Sequence, residues 1–63
     1  MNKILEKQKM GENYEIEIQS IEDEIEVKIS TGGVVSSYTF NPEEWTQFVK
    51  VINKADESTK KLF

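Results

Sequence analysis

Between Asn13 and Phe40 apolar and polar residues alternate in three successive runs, and a period of two is the mark of strands with one dry face and one wet face. The first run sets Tyr14, Ile16 and Ile18 against Glu15, Glu17 and Gln19. The second sets Ile25, Val27 and Ile29 against Glu24, Glu26, Lys28 and Ser30. The third, Val34 to Phe40, follows Thr31-Gly32-Gly33, and a Gly-Gly pair suits the positive φ angles of a two-residue hairpin turn. Pairing Thr31 with Val34 then sets Ile29 opposite Ser36, Val27 opposite Tyr38 and Ile25 opposite Phe40, which keeps the apolar residues on one face. The connection from Ser20 to Asp23 lacks glycine. A two-residue loop of Ile21-Glu22 would force a positive φ on a β-branched residue and oppose Glu17 to Glu26. A loop over 21–24 instead opposes Glu17 to Lys28, so the longer loop is predicted. The sheet spans 13–40. Residues 1–12 read either as a further strand or as a flexible arm, because Ile4 and Leu5 are adjacent and Lys7-Gln8-Lys9 is polar throughout.

A helix follows over 41–60. Asn41 is suited to cap exposed N–H groups, Pro42 to the first helical position, and Glu43 and Glu44 to the positive end of the helix dipole. Phe40 is placed to pack on Trp45 as a hydrophobic staple. Trp45, Phe48, Val49 and Ile52 form an apolar stripe sized to cover the sheet. The expected fold class is therefore α+β: a three- or four-stranded antiparallel β-meander followed by one C-terminal α-helix packed on the sheet, in one small domain.

At 63 residues and with no Cys, His or Arg, the chain has no means of making a disulfide, a Cys/His zinc site, a thiolate nucleophile or a histidine relay. No cofactor and no catalytic residue is expected. Ordering the chain costs roughly 1.5 kcal/mol per residue, against about 25 cal/mol per Å² of apolar burial, and these nearly cancel in so short a domain. A homodimer, closed through helix and edge-strand contacts, is the expected remedy. No apolar run approaches the roughly 20 residues of a membrane helix, and the N-terminus lacks a signal-peptide core, so no membrane partner and a cytoplasmic location are expected. Lysine to the exclusion of arginine, beside many Asn and Ile, fits an AT-rich coding genome such as that of a low-GC bacterium or its phage.

The net charge of −4 is unevenly spread. Residues 1–10 carry three Lys against one Glu, residues 11–44 nine acids against one Lys, and residues 45–63 four Lys against two acids. The acidic middle repels phosphate at long range. Glu22-Asp23-Glu24 reads as a solvated turn rather than a cation site. Tyr14 and Tyr38 lie on the apolar side of their strands and are expected in the core, as is Trp45. Ser36 and Ser37 have no activating base. The outward rows of Glu15, Glu17, Glu24 and Glu26 admit three readings: a solubility surface, a face for a basic protein partner that imitates the phosphate rows of DNA, or a nucleic-acid platform supplemented by lysines.

Residues Tyr38 to Phe48, through Asn-Pro-Glu-Glu-Trp-Thr-Gln-Phe, resemble the positive cofactor four family of transcriptional coactivators and single-stranded-DNA-binding proteins. In that family four curved strands run through a similar Asn-Pro-Glu-x-Trp segment into a long terminal helix. Ile52, Asp56 and Leu62 extend the likeness along the helix. It covers residues 13–62 in layout and about ten of them in identity. The resemblance implies a homodimer formed through the helices and a noncatalytic transcription or replication factor that binds single-stranded DNA on the sheet side. Lys or Arg would meet phosphates and aromatics would stack bases. The lysines available for this are Lys3, Lys7, Lys9 and Lys28, the first three as an arm lying across the sheet. The chain departs from the pattern in its acidic outward face and its short Gly-Gly connection. The competing expectation is an acidic interaction or inhibitor protein, phage-borne and DNA-mimicking, that binds a basic partner through Glu15, Glu17, Glu24 and Glu26.

Overall fold

The computed structural model describes residues 2–63. Four strands, β1 (Lys3–Lys9), β2 (Tyr14–Ile21), β3 (Glu24–Thr31) and β4 (Val34–Phe40), precede one helix, α1 (Pro42–Leu62). The strands form one antiparallel sheet in the order β1-β2-β3-β4, and α1 lies on β3 and β4. The expected α+β meander is thus present with its fourth strand.

Register follows the alternation. In the β3–β4 hairpin Thr31 meets Val34, Ile29 meets Ser36, Val27 meets Tyr38 and Ile25 meets Phe40, and the turn glycines Gly32 and Gly33 take φ of 53° and 86°. In β2–β3, Glu17 meets Lys28 as charge pairing requires. The expected loop over 21–24 is shorter in the structure, because Ile21 pairs with Glu24 and leaves Glu22-Asp23 as a two-residue turn. The positive φ that such a turn demands falls on Glu22, at 55°, so the β-branched residue stays extended.

β1 is a strand of the sheet and not an arm across it. Its two adjacent apolar residues, which break a period of two, sit at a bulge: Ile4 pairs with Gln19 and Glu6 with Ile18, leaving Leu5 as the extra residue. Beyond the bulge Glu6 and Gln8 share a face with Ile18 and Ile16, while Lys7 and Lys9 share the other with Glu17 and Glu15.

The helix starts where expected. Asn41 Oδ1 accepts from the Glu44 N–H at 2.8 Å, and Glu44 Oε1 accepts from the Asn41 N–H at 3.0 Å, a reciprocal capping box. Pro42 opens the first turn. Phe40, Trp45 and Phe48 form an aromatic trio with ring centroids 4.9–6.4 Å apart, so the staple ties strand to helix. The helix runs to Leu62, two residues beyond the expected end, and the Phe63 N–H closes it on the Thr59 carbonyl.

Coverage of the sheet is less complete than the apolar stripe suggests. Val27 is the one fully buried hydrophobic residue among those described. Trp45, Phe48 and Val49 are half-buried, but Ile52 is 50 % exposed. Tyr14 and Tyr38, expected in the core, are 52 % and 57 % exposed. The reason is geometric: a single helix over β3 and β4 shelters a strip of the sheet and leaves its own second half without a surface to rest on.

Candidate interaction surfaces

The sheet face turned away from α1 is built from cross-strand rows. One row reads Lys7, Glu17, Lys28, Ser37 across the four strands. A second reads Ile4, Gln19, Glu26, Thr39, and a third Lys9, Glu15, Ser30, Val35. No two carboxylates are directly opposed in these rows, so the like-charge penalty that Glu-rich strands incur is avoided by register. Lys7 Nζ lies 3.8 Å from Glu15 and 4.0 Å from Glu17, and Lys28 Nζ lies 3.9 Å from Glu26. Such surface pairs each contribute less than about 1 kcal/mol; their consequence here is charge matching.

Glu26 is the best-held carboxylate. Gln19 Nε2 donates to Oε1 at 2.6 Å and Ser37 Oγ donates to Oε2 at 2.8 Å. These bonds, with Lys28 adding attraction and burial opposing, lower the Glu26 carboxyl below its ordinary value of 4.5. Ser37, unpromising as a nucleophile, thus serves as a donor. Neither Gln19 nor Ser37 stands out by residue type. Their roles follow only from the register that sets Gln19 and Glu26 face to face.

The four lysines offered for nucleic acid do not come together. Lys7, Lys9 and Lys28 lie on the outward face among carboxylates, whereas Lys3 pairs with Ser20 and so faces the helix side with Ile25 and Phe40. The acidic candidates do share one face: Glu15, Glu17, Glu24 and Glu26 all occupy outward positions. The pairings of Ile21 with Glu24 and Ile25 with Phe40 add something the linear chain hides. They bring the β2–β3 turn and the start of α1 to the same end of the sheet, so Glu22, Asp23 and Glu24 stand at one pole with Glu43 and Glu44. Among the described residues no cation pairs with any of these five, and no cluster of acidic residues there has metal-binding geometry.

An open groove of about 700 Å³ runs along the flank of α1, lined by Phe40, Glu43, Glu44, Gln47, Phe48 and Val51 among others. Val51 is 62 % and Leu62 76 % exposed. No described helix is long and apolar enough to cross a membrane. No protein-family model, curated protein or solved structure matches the chain.

Proposed function

We propose that the chain is a noncatalytic binding module that acts as a homodimer and presents its outward sheet face and acidic pole to a basic protein partner. The observation that carries this reading is the charge layout. Every lysine among the strands of the outward face is opposed or flanked by a carboxylate, while the carboxylates of the pole are left to attract cations from outside. A phosphate backbone requires the reverse arrangement.

Self-association is supported by surface area. A compact monomer of 7.3 kDa exposes about 4,200 Å², and this chain exposes 5340 Å². Its radius of gyration is 13.2 Å where about 11 Å is expected for its length. The excess is apolar in part, with Val51, Ile52 and Leu62 along α1, the element through which the resemblance to the positive cofactor four family implies dimers.

A second reading, single-stranded-DNA binding of that family's type, is favoured by one feature: Tyr14 and Tyr38 stand exposed on the helix side of the sheet, the face that also carries Lys3. Base stacking needs such bare rings. Fluorescence anisotropy with a labelled Lys/Arg-rich peptide and with a labelled thymidine oligonucleotide separates the two. The first reading expects peptide binding that weakens with salt and falls about tenfold on reversing Glu22 and Glu24 to Lys. It is abandoned if the peptide fails to bind at low salt. Oligonucleotide binding with a steep salt dependence, reduced by Tyr38→Ala or by Lys3→Glu on the same face, would establish the second.

A further inference from the structure

The two edges of the sheet differ in chemistry. β1 carries Lys3, Glu6, Lys7 and Lys9 and is bent by the bulge at Leu5, both of which discourage a further strand from adding there. β4, Val-Val-Ser-Ser-Tyr-Thr-Phe, has no charge, no proline and no glycine. It pairs with β3 without a register shift, and Val34, Val35 and Tyr38 are 57–62 % exposed. A straight, uncharged edge of high β-propensity is a template for pairing.

We infer that the dimer of the proposed function closes along this edge, β4 of one copy pairing antiparallel with β4 of the second about a two-fold axis at Ser37 to give a sheet continuous across both copies. The inference rests on the homodimer reading and specifies its seam. The register is selected by three conditions. Centring on Ser37 pairs all seven residues of the strand, which no other centre does. It keeps each face intact, since a slip by one residue would turn the apolar side of one copy to the wet side of the other. It also yields complementary pairs: Val34 with Phe40 and Ser36 with Tyr38 on the helix side, Val35 with Thr39 and Ser37 with Ser37 on the outward side. No pair contains a charge.

The helices fit the same arrangement. α1 touches both β3 and β4, and the two-fold at Ser37 keeps each face intact, so the two helices come to lie on the same side of the continuous sheet, each beside its own β4. Val34 of the second copy, opposite Phe40, then sits at the groove floored by Phe40, Phe48 and Val51. One operation satisfies the bare edge, the groove and the exposed flank of α1.

The chain has no cysteine, so single-cysteine variants report the seam cleanly. Directly opposed residues of paired strands have Cα atoms about 4.5–5.5 Å apart, within disulfide range. Under mild oxidation Ser37→Cys should cross-link to a covalent dimer, whereas Lys7→Cys on the other edge should not. Val35→Lys should weaken the dimer at least about tenfold in sedimentation equilibrium while leaving the helical circular dichroism of the monomer in place. A wild-type protein that sediments as a dimer while Ser37→Cys cross-links no faster than Lys7→Cys would overturn the seam and leave the dimer standing. A wild-type monomer at every concentration would overturn both.

Discussion

At the scale of single residues, Glu26 shows how register converts an acidic strand position into a structural one. Its two oxygens are each held by a neutral donor, Gln19 and Ser37, with Lys28 nearby. Because its folded carboxyl lies below 4.5, the group favours the folded state above that value, and the contribution disappears as pH falls through its folded pKa. An NMR titration should find Glu26 protonating below 4.5, and Gln19→Ala, which deletes the largest cause, should move it back toward that value. A titration unchanged by that substitution would refute the assignment. The neighbouring glutamates lack this paired set of neutral donors, which separates Glu26 from residues that look identical in the alternating pattern.

At the scale of elements, the two two-residue turns close with different geometry: both turn residues take positive φ in β3–β4, and the first alone in β2–β3. Gly32 and Gly33 accept positive φ without cost, whereas Glu22 adopts 55° with a side chain attached, a conformation disfavoured by roughly 1 kcal/mol. Glu22→Gly is therefore expected to raise stability by a few tenths to about 1 kcal/mol, the gain being limited by the extra freedom glycine has when unfolded. The converse change, Gly33→Ala, should lower it by about 1 kcal/mol. No atom lies within 4 Å of the added Cβ, so the loss is conformational rather than steric. Urea denaturation of the three proteins measures both. A destabilised Glu22→Gly would show that the unfolded-state freedom of glycine outweighs the strain relieved at this turn. The connection from Ser20 was legible in its register but not in its length. The preference for opposing Glu17 to Lys28 is a local electrostatic argument, while the pairing of Ile21 with Glu24 depends on how far the ladder continues once it has begun.

At the scale of the whole molecule, the chain forms a thin sheet with one helix laid along part of it, 40 × 30 × 16 Å. Val27 is the one fully enclosed hydrophobic residue among those described, and the proposed homodimer predicts that the midpoint of thermal unfolding rises with protein concentration. Ile52→Asp, at a half-exposed helix position, should leave the monomer folded but abolish that dependence; a concentration-independent midpoint in the unaltered protein would contradict the dimer. The registers of β2–β3 and β3–β4, the Gly-Gly turn and the helix start were readable from the sequence because each depends on neighbours in the chain or on a period of two. How much of the sheet the helix covers was not readable: Trp45 and Ile52 belong to the same stripe, yet only Trp45 finds a strand beneath it. The lysines likewise carry no mark of which face they join, since the bulge at Leu5 alone sends Lys3 to one side and Lys7 and Lys9 to the other. Local periodicity and capping chemistry act over a few residues and are written in the chain. Coverage, charge matching across strands and the gathering of five carboxylates at one pole arise from residues distant in sequence, and only the folded arrangement of strands brings those together.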